Sequence, residues 1–299
     1  MQLTYFSCFT NQTSIILFRQ SLTFLINKAM FKKIFSSTVD IPTLRLSGVI
    51  GQAGFMRSGL SSSNLDKLIT KLFSDKKAPA VALIINSPGG SPTQSSLIAK
   101  KILELANRKK KKIYAFVEDV AASGGYWLAC IADEIYIDEN SIVGSIGVIS
   151  PGFGFVNLIK KAGIERRMYT SGKSKSFLDP FQKEKPQDIK RLKIIQEQIH
   201  ENFISYVKSR RGSKLDKKKL NDIFSGMFWV GQNAIDLGLA DGIGTIDQII
   251  EKKFGKKAKC KIIDQKKSFL QRRLSTSLLD TDSILQKIEE KAYWSRYGL

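Results

Sequence analysis

Ser123 lies in the run Val120-Ala121-Ala122-Ser123-Gly124-Gly125-Tyr126-Trp127. A hydroxyl flanked by small residues, with glycines after it and an apolar helix-like run beyond, has the local form of a strand-to-helix turn that presents a nucleophile. Such a hydroxyl attacks poorly until a base takes its proton. Imidazole is the usual base, but the chain has a single histidine, His200. His200 sits in a charged stretch of helical spacing, Gln196-Glu197-Gln198-Ile199-His200-Glu201-Asn202, and reads as a solvated surface residue. The expected base for Ser123 is therefore a lysine, as in the serine–lysine variants of the triad.

A lysine can act as base only when its amine is neutral, which burial and neighbouring cations favour and carboxylates oppose. The segment Ser171-Gly172-Lys173-Ser174-Lys175-Ser176-Phe177 offers two lysines and no carboxylate nearer than Asp179. From composition alone, both lysines read as exposed loop charges. Acyl transfer also needs a trap for the oxyanion. The Gly124 amide follows the serine at a helix N-terminus, where free N–H groups and the helix dipole favour an anion. Gly90, in Ser87-Pro88-Gly89-Gly90, can supply a second amide because glycine allows close backbone approach. Each donor of this kind contributes about 3–4 kcal/mol of transition-state stabilisation. The plain alternative for Gly89-Gly90 is a turn after a strand.

Three segments together resemble the S49 family of serine peptidases, the signal peptide peptidase A and SohB-like group. They are Ile84-Ile85-Asn86-Ser87-Pro88-Gly89-Gly90-Ser91-Pro92, the Val120–Trp127 run with Val143-Gly144-Ser145-Ile146-Gly147-Val148, and Ser171–Lys175. The similarity runs from about Ile41 to Gly244. It implies an α/β fold of the ClpP/crotonase type, built from repeated ββα units, and a serine endopeptidase with a Ser–Lys dyad and no cofactor. The family's Gly-x-x-Lys setting falls on Gly172 and Lys175, although Ser174 stands where the family usually has an aromatic. The resemblance further implies that Ser145 hydrogen-bonds the lysine amine and aims it at Ser123. Implied substrates are hydrophobic, extended segments such as remnant signal peptides or membrane-protein fragments. The implied assembly is a ring-like homo-oligomer. Two other readings stay open: an acyl-CoA enzyme of the crotonase type, with Glu118 as its nearest candidate acid, and an inactive membrane-associated scaffold.

Among 299 residues, 42% are hydrophobic and 25% charged, ample for a globular core. The net charge of +21 is carried partly by blocks such as Lys109–Lys112 and Lys217–Lys219. These blocks lack the aromatic interleaving of single-strand binders, so nucleic acid is not an expected partner. An anionic membrane surface suits them better, and a solvated face suits them best. Cys8, Cys130 and Cys260 are odd in number and lack C-x-x-C spacing, which argues against a disulfide framework or a zinc site. Cys130 reads as a small buried hydrophobe.

The expected organisation is an N-terminal extension over residues 1–40, a peptidase domain over 41–255, and a basic C-terminal segment with a terminal helix over 256–299. No stretch near the N-terminus approaches the roughly 20 apolar residues of a membrane span. Met30 is a second candidate start. Residues 1–29 read as an extension without structural role or as an interfacial helix, which suits a cytoplasmic or membrane-associated protein of a bacterium. Strands are expected at Thr43–Ile50, Ala80–Ile85, Lys112–Val117, Glu134–Ile137, Gly147–Ile149 and Glu165–Tyr169. Helices are expected at Ser61–Phe73, Ser95–Ala106, within Val120–Ile131, and at Phe155–Ala162, Pro186–Ser209, Gln232–Asp241 and Asp282–Ala292. Their alternation in the first half predicts parallel βαβ units.

Overall fold

In a computed structural model, residues 38–51, 53–54, 57–172, 174–264 and 291–299 are described. The expected terminal helix over Asp282–Ala292, like the N-terminal extension, falls almost wholly outside them. One sheet organises the domain, in the order Ala258–Ile262, Val39–Ser47, Ala80–Ser87, Lys112–Ala122, Glu134–Ile137 and Gly242–Ile243. Every neighbour along this path is parallel. Ile142–Gly144 pairs parallel with the upper end of Lys112–Ala122 and antiparallel with Phe228–Val230.

Alternation along the central strands divides the core in two, as strands with both faces covered require. Leu44, Leu46, Val81, Leu83, Ile85, Ile113, Ala115 and Val117 face the larger cluster. That cluster is completed by the helices Ser62–Leu72, Pro92–Lys109 and Gly124–Ala129. Ile41, Ala80, Ala82, Tyr114 and Phe116 face the opposite cluster, closed by Ile250 from the helix Ile246–Phe254. The helix starts obey local rules. Ser61 accepts from the Asn64 amide, and Ser91 accepts from Gln94 ahead of Pro92 at the first turn.

Several elements depart from expectation. Gly147–Ile149 is not a strand; the neighbouring Ile142–Gly144 is, because its partners are Val120–Ala122 and Phe228–Val230, remote in sequence. Glu165–Tyr169 forms no regular element. The weak pattern after Phe254 conceals Ala258–Ile262, an edge strand beside Val39–Thr43, so the sheet continues past the boundary expected at residue 255.

The described residues from Gly147 to Asn202 include none that is buried. This arm comprises the short helix Val156–Lys161, the turn around Lys175 and the first four turns of the helix Pro186–Arg211. The long helix buries Phe203, Val207 and Arg211 and packs Ile204 and Tyr206 against the core. Among the described residues, no helix is long and apolar enough to cross a membrane.

Candidate active site

The strand Lys112–Ala122 ends at Ser123, and the helix Gly124–Ala129 begins one residue later. The reversal forces Ser123 to φ 52°, ψ −121°, a region costly for any residue with a Cβ. Neighbours hold it there. The Ser123 amide donates to Gly144 O at 2.8 Å, and the Ser123 carbonyl accepts from the Trp127 amide at 3.0 Å. Upstream, the register with Ala80–Ser87 slips, since Ile85 pairs with Val117 but Ser87 with Ala121. The extra residues include Glu118 and Asp119. Glu118 forms an ion pair with Arg45 on the surface, and Asp119 accepts from Asn86 at 2.6 Å. Glu118 therefore points to a surface cation and does not line the cleft at Ser123, which removes the acid that a crotonase-type reading would use.

Gly89 and Gly90 lie against the serine turn. A Cβ on Gly89 would stand 2.8 Å from Ser123 Cβ and 3.0 Å from Gly124 N, and one on Gly90 only 2.1 Å from Ile50 O. Both glycines have positive φ, 106° and 138°. The Ile50 amide donates to Gly89 O and the Ser91 amide to Ile50 O, each at 2.8 Å. In that parallel bridge the Gly90 N–H faces away from Ile50, toward the serine turn. A Cβ on Gly124 would come within 3.4 Å of Gly90 N, so the two amides expected as oxyanion donors are neighbours. Gly124 N–H, at the first position of its helix, is left free by the helical bonding pattern.

A narrow cleft opens beside them, lined by Gly90, Pro92, Ser123, Gly124, Trp127, Gly147, Val148, Ile199 and Phe203. Its floor is apolar, with the Trp127 ring stacked on Phe203 at 4.8 Å and on Tyr206 at 4.7 Å. Cys130 is no rival nucleophile. Burial, outweighing the nearby Arg211 charge, pushes its thiol up to about 12.

Ser145 is buried, at φ 52°, with its amide donating to Met227 O at 2.7 Å. Its hydroxyl is in contact with the Tyr297 hydroxyl at 3.4 Å. Tyr297 rests on Val120 and Ala122, on the back of the nucleophile strand. Lys175 is exposed on the turn that follows Gly172, its amide donating to Gly172 O at 3.2 Å, and it is not among the residues lining the cleft. Lys173 lies outside the described residues. The structure thus gathers Ser123, Gly90 and Gly124 at one cleft with Ser145 one strand away, and holds Lys175 on the projecting arm.

His200 differs from expectation. It is half-buried, and its Nε2 donates to Ile146 O at 2.9 Å. The missed signal was its spacing: Ile199 and Phe203, four residues apart, share the helix face that lines the cleft.

Similarity to known proteins fits this arrangement. The family model described as Peptidase family S49 matches residues 105–260, which include Ser123, Ser145 and Lys175. A protein of Brucella abortus (strain 2308) named Na(+)/H(+) antiporter NhaA is 46% identical over 304 residues, covering 96% of this chain and 41% of that protein. Protease 4 of Haemophilus influenzae is 31% identical over 216 residues, 71% of this chain and 34% of that protein. Serine protease SPPA, chloroplastic, of Arabidopsis thaliana is 30% identical over 225 residues, 70% of this chain and 33% of its own length. The chain thus spans well under half the length of these three relatives. With its serine held at a strained strand-to-helix turn inside the matched region, the chain belongs to peptidase family S49.

Proposed function

We propose that the protein is an endopeptidase using a Ser123–Lys175 dyad, completed between copies of the chain, on hydrophobic extended segments such as remnant signal peptides or membrane-protein fragments. The observation that carries this reading is the meeting of Ser123 with the Gly90 and Gly124 amides at an apolar cleft. Ser123 Oγ attacks the scissile carbonyl while the neutral Lys175 amine takes its proton. The two amides hold the oxyanion, and collapse expels the amine product, which receives the proton from the lysine. Water then repeats the sequence on the acyl-enzyme, with the lysine again accepting the proton. Ser145 orients the amine.

The arm supports the inter-copy part of the reading. It exposes Ile149, Phe153, Leu158, Ile164, Ile194 and Ile195, more apolar surface than a solvated excursion needs. Packing that face against a second copy takes amines out of water, which favours their neutral form. A head-to-tail contact of this kind gives a ring when its rotation closes. The apolar floor at Trp127, Val148, Ile199 and Phe203 suits an apolar side chain of an extended substrate.

The test is complementation. Ser123→Ala and Lys175→Ala chains, each inactive alone, are mixed and assayed on an apolar peptide. Recovered hydrolysis together with a mass above 33.5 kDa is expected. A fully active species that stays at the monomer mass overturns the inter-copy dyad.

A further inference from the structure

We propose that His200 is a positioning residue, which holds the Ser145–Val148 segment against the long helix so that the cleft wall and Ser145 keep their register with Ser123. This inference rests on the reading of Ser123 and Ser145 given above.

The segment after Gly144 has no regular structure. At its start the Ser145 amide is held by Met227 O, and the Gly147 amide donates to Ser145 O at 2.9 Å. The Ile146 carbonyl turns toward the long helix, where His200 Nε2 meets it at 2.9 Å. A carbonyl can only accept, so Nε2 carries the proton. This bond joins the two sides of the cleft. Gly147 and Val148 line one side directly after Ile146, and Ile199 and Phe203 line the other around His200.

His200 also sits where the arm meets the core. No described residue of the arm before it is buried, and Phe203, one turn on, is 3% exposed. The helix therefore has no buried anchor on the arm side of His200. Release of the Ile146 carbonyl frees Ser145, held at φ 52°, to relax, and lets the arm swing. Ser145 would then be misaligned without any loss of groups that touch substrate.

The test uses the full chain with two substitutions. His200→Leu keeps bulk without a donor, and His200→Gln keeps a donor of similar reach. His200→Leu is expected to lower kcat about tenfold to a hundredfold, the scale of a small misplacement at a reacting centre. KM should change less than kcat, because Val148, Ile199 and Phe203 still line the cleft although its wall is held less firmly. His200→Gln should regain most of the lost kcat, which a general base could not do. Unchanged kcat in His200→Leu overturns the proposal, as does a His200→Gln no better than His200→Leu. Fluorophosphonate labelling of the wild type separates the two levels. Absence of label on Ser123 sinks the site reading itself, whereas labelled Ser123 with a fully active His200→Leu sinks only the role of His200.

Discussion

The Ser123 amide donates to the carbonyl of Gly144 at 2.8 Å, so the nucleophile is tied to the residue immediately before Ser145. Both serines have φ 52°, and they end the paired strands Lys112–Ala122 and Ile142–Gly144. Two hydroxyls remote in sequence are thus displayed in register at one end of one sheet. Strain at both positions persists because the surrounding bonds over-determine it.

Ser123→Ala is expected to lower peptide hydrolysis about 10⁴-fold or more, since removing one member of a catalytic unit costs nearly the whole unit's contribution. Ser123→Gly should be equally inactive but more stable than Ser123→Ala by about 1–2 kcal/mol, because glycine adopts φ 52° without a Cβ penalty. Thermal melts of the two inactive variants measure the difference, and equal midpoints would count against strain at this turn.

Gly89→Ala should fail where Gly152→Ala succeeds. The first adds a Cβ 2.8 Å from Ser123 Cβ and 2.9 Å from Ala122 O, whereas the second meets nothing within 4 Å. Displacing the Gly90 amide or Ser123 is expected to cost about 10²-fold or more in kcat. Steady-state kinetics on both variants, with circular dichroism as a fold check, decide it.

Lys175→Ala should match Ser123→Ala in kcat, while Lys173→Ala retains most activity. The reverse pattern in hydrolysis assays would move the base to Lys173.

Acid should loosen the fold through Asp241. Burial alone would raise its carboxyl, but hydrogen bonds from Arg211 and Lys214, both at 2.6 Å, hold it below the usual carboxylate range. A depressed acid contributes stability that is complete above its unfolded value and lost as pH falls through the lower folded value. Urea midpoints should therefore drop below about pH 4, and less steeply in Asp241→Asn. Arg211, 1% exposed and also donating to Gly238 O, should cost about 3–5 kcal/mol when replaced by Met, because Asp241 loses its buried partner. A pH-independent midpoint would rule out this linkage.

The serine turn, the central strands and the main helices were legible in the sequence because their determinants are local. Ser123-Gly124-Gly125 specifies a tight strand-to-helix reversal, Ala80–Ile85 a strand covered on both faces, and Ser61 and Ser91 the helix caps that form. The family motifs likewise pointed to Ser123, Gly90 and Gly124 as neighbours. What lay beyond the sequence depends on partners distant along the chain. Ile142–Gly144 is a strand because Phe228–Val230 pairs with it, and Ala258–Ile262 is one because Val39–Thr43 offers an edge. Glu118 leaves the cleft because a register slip turns it toward Arg45. His200 sits among charges in sequence, and only the crossing of the long helix over Ile146 gives its ring a carbonyl to hold. Short-range patterning determined where chemistry could reside, and long-range pairing decided which groups face it.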